Sequence, residues 1–195
     1  QDVYGAVIGQ KVVSYRNVNK NTMIFGSDPG RFRIDKGALV SGRFYTEQEN
    51  VGAVPVAILG HNLARALFET SDPINQTIRV GDYNFLVIGV YEKRGSISGL
   101  NEDRQVFIPL ITAQKKLLGI DYLLYGIAKL KNQNTADGTA EDIRLMLRQN
   151  HNITDPAKDD FNVTTMAQSL NTLSAILKGI TFLLIAISAI SLLVG

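Results

Sequence analysis

The sequence predicts an α+β fold, in which a domain of short strands and helices is followed by one long apolar helix. Three observations predict it. Short segments rich in β-branched and aromatic residues alternate with turn-forming clusters of Gly, Pro, Asn and Asp. Between them lie segments with apolar residues at helical spacing. The last 17 residues carry no charge, and the preceding 178 hold all 20 basic and 18 acidic residues.

The first part of the chain predicts a β-rich region with one clear helix. Apolar spacing predicts the helix over residues 62–68. Gly81 and Asp82 are expected to form the two-residue turn of a hairpin. Residues 46–50 and 93–103 are polar and predict loops, the second of them mobile. Strands are predicted over residues 10–17, 21–25, 54–59, 76–80, 83–91 and 105–108.

The middle of the chain predicts a strand–helix–strand unit after a short capped helix. Thr112 is expected to cap that short helix and Gly119 to end it. Thr139 and Asp142 have the spacing of a capping box and predict the start of the next helix. The flanking strands are predicted over residues 122–130 and 161–164. This order favours a small α/β arrangement in the region.

The C-terminal segment predicts one helix of about 30 residues. Thr165 and Gln168 have the spacing of a capping box. Because the run after Lys178 has no polar face, we expect a membrane span. Two alternatives stay open: a buried helix of a water-soluble protein, and two helices separated at Gly179. Apolar residues alternate at intervals of four and three, the seam of a packed helix pair; they are Met166, Leu170, Leu173, Leu177, Ile180, Leu184 and Ile187.

Composition argues against most catalytic and nucleic-acid-binding functions. The net charge of +2 is too small for a dedicated nucleic-acid binder. The chain has no cysteine and two histidines, His61 and His151, which argues against disulfide frameworks, thiolate metal sites and cysteine nucleophiles. It contains neither a Walker-type phosphate loop nor a Gly-x-Ser-x-Gly nucleophile motif. We therefore expect a non-enzymatic segment of a longer protein, without cofactor or metal.

A set of short segments, each weak by itself, carries a family resemblance in its order and spacing. They are residues 42–44 (GRF), 56–60 (VAILG), 67–80, 85–92, 107–110, 141–149, His151, 159–163 and 186–195. Together they resemble the extracytoplasmic domain of MacB/FtsX-type ABC-transporter permeases. One departure is Asn75, which stands where the family usually has glycine in a turn. Since asparagine tolerates a left-handed backbone, we expect the turn to persist.

The resemblance implies a permease with four transmembrane helices and a large domain between the first and second. It implies a membrane-near, porter-like α/β subdomain (residues 1–32 and 120–164) and a distal β-rich subdomain (33–119). Residues 165–195 would be the stalk and the start of the second transmembrane helix. The protein would lie in the cytoplasmic (inner) membrane, with residues 1–170 approximately on the periplasmic side.

The resemblance also implies partners and a mode of action. Such permeases form dimers that work with a cytoplasmic ATPase and, in some cases, with a periplasmic adaptor. ATP hydrolysis drives motion of the domain outside the membrane, a mode called mechanotransmission. Substrates in the family include macrolides, peptides, toxins and lipoproteins.

Two groups of residues are the candidate functional positions. The stalk seam, expected to pack on the helix that precedes the domain in the full protein, consists of Met166, Leu170, Leu173 and Leu177. The candidate adaptor-contact loop contains Arg94, Ser96 and Glu102. The alternative function is a membrane-anchored ligand-binding or sensor module without transport. A membrane-tethered hydrolase would need a nucleophile–base pair that the sequence does not reveal.

Overall fold

The computed structural model of the chain describes residues 2–35, 37–97 and 100–194. The chain divides into two compact units, Gln1–Lys129 and Leu130–Gly195. All ten described strands belong to the first unit, and the two longest helices belong to the second. The predicted α+β composition is therefore confirmed, with the strands and the long helices in separate units.

The strands are short except for the first two and the sixth. They are β1 (Asp2–Tyr15), β2 (Val18–Ser27), β3 (Leu39–Gly42), β4 (Val56–Leu59), β5 (Thr77–Val80), β6 (Tyr83–Tyr91), β7 (Ser96–Ile97), β8 (Leu100–Asn101), β9 (Val106–Pro109) and β10 (Tyr125–Lys129). The helices are α1 (Gly30–Asp35), α2 (Glu47–Val51), α3 (His61–Phe68), α4 (Leu110–Thr112), α5 (Ala136–Asn150) and α6 (Met166–Val194).

Eight of the strands form one mixed sheet that closes on itself. Strand β5 pairs antiparallel with both β6 and β1, so the path β1–β2–β9–β4–β6–β5 returns to its first strand. The closing contact pairs Val13 with Val80 and Ser14 with Arg79. Strand β10 also pairs with β1, and β3 with β6. Strands β7 and β8 form a separate hairpin. Closure leaves fewer open sheet edges that could pair with another chain.

One hydrophobic core fills the interior of this ring. Successive side chains of a strand point to opposite faces, so alternate residues of all six ring strands enter the core. Leu63 and Leu67 of α3 pack into it, as does Leu117 after α4. The contributions of the ring strands are Val7, Val13, Ile24, Ala57, Leu59, Ile78, Val80, Phe85, Val87, Val90, Val106 and Ile108.

A second core covers the opposite face of the sheet and is rich in aromatic residues. The rings of Tyr91 and Phe107 meet edge to face, with centroids 4.9 Å apart. Phe32 of α1 packs on Tyr45 with centroids 4.7 Å apart. The Tyr45 hydroxyl donates a hydrogen bond of 3.0 Å to the Ser27 carbonyl. Burial raises the pKa of Tyr45 well above its usual value, so this hydroxyl stays protonated and available as a donor.

The prediction of a loop over residues 46–50 is wrong, because this segment contains α2. Thr46 is its N-cap: the Glu49 amide donates to the Thr46 hydroxyl at 3.2 Å, and the Thr46 amide donates to the Glu49 carboxylate at 2.8 Å. Two hydrogen bonds from Arg43, of 2.7 and 2.8 Å, lower the pKa of Glu49 to about 2. The Thr-x-x-Glu spacing was the available signal, whereas the polar composition argued for a loop.

Three left-handed backbone positions confirm the predicted turns. Gly81, with φ of 58°, lies in the β5–β6 hairpin turn, and Gly119, with φ of 65°, ends the helical segment that follows α4. Asn75 has φ of 62°, so the turn persists with asparagine in place of glycine.

Four other local predictions are wrong. Residues 161–164 do not form a strand in the described structure; instead, the Val163 carbonyl accepts a hydrogen bond from Arg144. Thr139 does not cap a helix, since α5 begins three residues earlier, at Ala136. Thr112 lies at the end of α4, and its hydroxyl donates to the Val54 carbonyl at 2.9 Å. The segment 93–103 was predicted as a loop, but its described residues include β7 and β8.

Candidate functional site

The long helix α6 is the main feature of the second unit. It runs from Met166 to Val194 and includes Gly179, so the prediction of one helix is confirmed and the two-helix alternative is wrong. The predicted capping box is present. The Gln168 amide donates to the Thr165 hydroxyl at 3.2 Å, and the Thr165 amide donates to the Gln168 side chain at 3.3 Å. The two bonds pair amides that the start of a helix otherwise leaves without a partner.

Polar contacts from α5 hold the start of α6. The Asp137 carboxylate accepts hydrogen bonds from the Thr165 hydroxyl at 3.4 Å and from the side-chain amide of Gln168 at 3.3 Å. Seven residues further along α5, nearly two helical turns, the Arg144 guanidinium donates to the Val163 carbonyl at 2.5 Å. These contacts tie the chain on both sides of the N-cap to one helix. We call Asp137, Arg144, Val163, Thr165 and Gln168 the α5–α6 junction.

The loop between the two helices is fixed by an ion pair. Arg148 of α5 donates to both carboxylate oxygens of Asp159, at distances of 2.7 to 3.1 Å. This bidentate hydrogen bonding lowers the pKa of the Asp159 carboxyl group below its usual value. The neighbouring Asp160 contacts the Nδ1 atom of His151 at 2.8 Å. The two adjacent carboxylates therefore bind different partners and hold the loop at two points.

The apolar part of α6 has the length and composition of a membrane span. The segment Met166–Leu192 has 27 residues. In its most apolar stretch, no residue is buried by the rest of the described structure. Within the uncharged run, the hydroxyls of Thr181 and Ser188 donate to the carbonyls of Leu177 and Leu184 at 2.9 and 2.8 Å. Because these hydroxyls are satisfied within the helix, they need no water and fit a hydrocarbon environment.

The predicted stalk seam lies along one face of α6 and is exposed. Its four side chains, Met166, Leu170, Leu173 and Leu177, are between 52% and 73% exposed. The described residues therefore offer no packing partner that covers this face. A surface of large apolar side chains at seam spacing is available to a second helix or to lipid.

The candidate adaptor-contact loop is anchored at its base. The Arg94 side chain donates to Glu102 at 2.5 Å, and both side chains are only 11% and 12% exposed. The Asp103 carboxylate accepts hydrogen bonds from the amides of Arg94 and Gly95, at 2.7 and 3.0 Å. The structure thus brings Arg94 and Glu102 together. Ser96 lies in β7, and its side chain is outside the described residues, as are residues 98 and 99 of the loop.

A buried arginine that sequence reasoning missed completes this anchor. Arg31 of α1 is 1% exposed and donates to Asp35 and to Glu102, each at 2.8 Å. Its guanidinium lies over the rings of Phe25 and Phe107, at 4.2 and 4.4 Å from their centroids. Glu102 therefore bridges two arginines. Asp35 lies one helical turn from Arg31, but no local sequence pattern marks the contact with Glu102, which lies 71 positions away.

The described residues contain no group of three or more His, Cys, Asp or Glu side chains placed to hold a metal ion.

The two predicted groups of functional residues lie in different units, the seam in the second and the loop in the first. A closed mixed sheet followed by a helix long enough to span a membrane indicates the class of protein: an extramembrane domain attached to a membrane segment.

Comparison with known proteins identifies the family. The family model described as "MacB-like periplasmic core domain" matches residues 2–145. The chain therefore belongs to this family of ABC-transporter permease domains, and the resemblance seen in the sequence is confirmed.

Two curated relatives are similar along nearly the whole chain. The macrolide export ATP-binding/permease protein MacB of Bdellovibrio bacteriovorus is 29% identical, over 100% of this chain and 30% of its own length. The pyoverdine export ATP-binding/permease protein PvdT of Pseudomonas savastanoi pv. phaseolicola is 32% identical, over 96% of this chain and 28% of its own length. The chain thus spans less than a third of the relatives that it matches.

Two solved structures share the fold. The periplasmic region of MacB from Actinobacillus actinomycetemcomitans has a TM-score of 0.71 at 18% identity, covering 89% of this chain and 76% of that one. The extracellular domain of the ABC-type transporter YknZ from Gram-positive bacteria has a TM-score of 0.69 at 17% identity, covering 78% of this chain and 76% of that one.

Proposed function

We propose that this chain is the periplasmic part of an exporter's permease subunit and that it transmits motion driven by ATP hydrolysis across the membrane. The observation that carries the proposal is helix α6, which is capped at its start, uninterrupted and apolar over most of its length. A helix of 29 residues is roughly 43 Å long. Such a helix can carry a displacement from the bilayer to a water-facing domain as a rigid element.

The α5–α6 junction is the place where this displacement would leave the helix. Asp137 holds the N-cap of α6, and Arg144 holds the residue two positions before it. Movement of α6 along its axis would therefore pull on α5 at two points separated by nearly two helical turns. Coupling through several fixed contacts resists rotation at the joint better than a single flexible linker would.

The remaining partners follow from the family. The printed names of the relatives describe proteins that combine ATP-binding and permease functions in export. By extension, we propose an ABC ATPase subunit or domain, a second permease copy and, at the loop bearing Arg94, Ser96 and Glu102, a periplasmic adaptor. The substrate would belong to the antibiotic, peptide or lipoprotein class. We also propose that the protein lies in the cytoplasmic membrane. Its periplasmic part would consist of a porter-like subdomain (residues 1–32 and 120–164) and a distal subdomain (33–119).

Charged substitutions in the stalk seam test the proposal. The variant Leu170→Glu/Leu173→Glu should lose its packing on a second helix, because burying a carboxylate in an apolar seam is unfavourable. In the full-length permease with its ATPase, we expect the rate of export to fall by about tenfold. A change of this size corresponds to the loss of a typical coupling free energy. ATP hydrolysis should continue, so the number of ATP molecules consumed per exported molecule should rise.

The matched control places the same charges on the other side of the same helix. Asn171 and Ala175 are exposed and face away from the seam. The variant Asn171→Glu/Ala175→Glu should keep both export and ATP hydrolysis. Unchanged export in the seam variant, or an equal loss in both variants, would contradict the proposal.

A further inference from the structure

A row of four hydrogen-bonding side chains crosses the outer surface of the closed sheet. Asn19 of β2 pairs with Ser14 of β1, Ser14 pairs with Arg79 of β5, and Arg79 pairs with Asn84 of β6. Directly opposed residues share one face of a sheet, and their Cβ atoms are about 5 Å apart. The row therefore exists only because β5 closes the ring.

The row lies in an open cleft of about 450 Å³. Arg16, from the β1–β2 turn, also lines this cleft, together with Tyr15. None of the described residues that line it is acidic. Two arginines and, besides Tyr15, four neutral polar residues thus line one concave surface with no carboxylate among them; the four are Ser14, Asn19, Thr77 and Asn84.

Arg79 is held in place without being neutralised. Its Nε atom donates to the Gly81 carbonyl at 3.0 Å, and the Gly81 amide donates to the Val12 carbonyl at 2.9 Å, which ties the turn to β1. Among the described carboxylates, its only ion-pair partner is Asp82, at 3.4 Å and 92% exposed. A pair so exposed is strongly screened by water, so the guanidinium keeps most of its ability to attract an anion.

Arg16 is placed at the cleft by the β1–β2 hairpin turn. Its φ of 49° lies in the left-handed region, which costs a residue with a side chain about 1 kcal/mol or more. Its guanidinium lies 5.1 Å from the centre of the Tyr15 ring. That ring packs on Phe68, with centroids 4.0 Å apart, and so provides a fixed platform. Because Arg16 is the first residue of the two-residue β1–β2 turn, its positive φ is the one that such a turn requires, and the contact with the Tyr15 ring holds its cation at the cleft.

We propose that this cleft binds the oxyanion, carboxylate or phosphate, of a small ligand. Such a group only accepts hydrogen bonds, and guanidinium, amide and hydroxyl groups can donate them. Arg79 supplies the planar fork of its two Nη groups, since its Nε already donates to Gly81. Asn19, Ser14 and Asn84 add neutral donors, and Arg16 adds the second charge. The inference does not depend on the proposed transport function, because it rests on the surface of the closed sheet alone.

Titration of the complete 195-residue chain in nonionic detergent tests the site. Succinate and inorganic phosphate are added separately to the ¹⁵N-labelled protein, and amide shifts are followed by NMR at low salt. We expect saturable shifts centred on Gly81 and Asn84 that weaken as salt is added. Saturation by succinate alone assigns the site to carboxylates, saturation by phosphate alone assigns it to phosphates, and saturation by both assigns it to either oxyanion.

Variants separate this site from general surface charge. Arg79→Gln should raise the Kd of the bound anion about fivefold and Arg16→Gln about threefold, as for exposed ion pairs. Arg79→Lys, which keeps the charge but loses the fork, should lie between the wild-type protein and Arg79→Gln. Arg65→Gln is the control, since Arg65 is exposed on α3 and does not line the cleft. The proposal would be overturned if neither succinate nor phosphate saturated the shifts, or if the wild-type and Arg79→Gln proteins had equal Kd values.

Discussion

Arg31 illustrates how a single residue can join segments that are far apart in the chain. Its guanidinium connects α1 to Glu102, which lies just after the β7–β8 hairpin, and packs against two strands through Phe25 and Phe107. Burying a charge is costly unless it is paired, and here two carboxylates and two aromatic faces compensate for lost hydration. The same Glu102 holds Arg94. Arg31 therefore fixes the base of the candidate adaptor-contact loop from inside the fold.

Replacing Arg31 by methionine should destabilise the first unit. Methionine fills similar space over the two rings, so the main loss is the buried pair. Because Glu102 would keep Arg94, the cost should lie at the low end for a broken buried pair, about 3 kcal/mol. Urea unfolding measures it. Arg33→Met is the control in the same helix: Arg33 is 64% exposed beside Asp2, and we expect a change below about 0.5 kcal/mol. Similar losses for both variants would contradict the buried role.

At the scale of elements, two helices begin with the same reciprocal pair of hydrogen bonds. Thr165 and Gln168 start α6 through a reciprocal pair of hydrogen bonds, and Thr46 and Glu49 start α2 in the same way. Within α6, Gly179 does not interrupt the helix. A glycine inside a helix lowers helix stability, but it does not by itself create a break.

Two glycines with open surroundings should respond in opposite ways to alanine. A Cβ atom added at Gly179 or at Gly119 would meet no atom within 4 Å. Gly179→Ala should increase the stability of α6 by up to about 1 kcal/mol, because alanine favours helix. Gly119→Ala should destabilise by about 1 kcal/mol, because its φ of 65° is unfavourable for alanine.

Circular dichroism at 222 nm during thermal unfolding in detergent measures both effects. Destabilisation by Gly179→Ala would indicate that the helix is broken or kinked at this position, contrary to the structure. Gly179→Pro provides the opposite extreme, since proline removes a helical hydrogen bond and should disrupt α6 by about 3 kcal/mol.

At the scale of the whole molecule, closure of the sheet decides what the first unit can do. The closing strand β5 has four residues, yet it pairs with both β1 and β6, the ends of the path formed by the other five ring strands. Its inward side chains, Ile78 and Val80, are fully buried in the core, and its outward Arg79 completes the polar row. One short strand thus seals the hydrophobic interior and forms the centre of the proposed oxyanion site.

The first unit should fold without the second. All described strands lie within residues 2–129, so a chain that ends at Lys129 keeps both cores. We expect it to be soluble, to unfold cooperatively in urea and to show dispersed amide NMR signals. A chain that ends at Leu124 lacks β10 and should be less stable, because Tyr125 packs on Phe25 with ring centroids 6.1 Å apart. Failure of the longer fragment to fold would show that the second unit is required.

The sequence predicted the features that depend on neighbours in the chain. The β5–β6 hairpin, helix α3, the cap and continuity of α6 and the left-handed Asn75 all follow from residues within a few positions of one another. It predicted less well where local signals competed. Residues 46–50 combine a capping box with a polar composition, and residues 161–164 have strand-forming side chains but no neighbouring strand in the described structure.

By itself, then, the sequence determined an α+β domain with a C-terminal apolar helix and indicated its family, because periodicity, caps and motif order are local properties. Only the tertiary structure decided the closed ring, the Arg31 anchor and the row from Asn19 to Asn84. Each of these depends on contacts between residues far apart in the chain, such as Ser14 with Arg79. Such pairings are selected by burial of the shared core, and no local pattern encodes which strand will close the sheet.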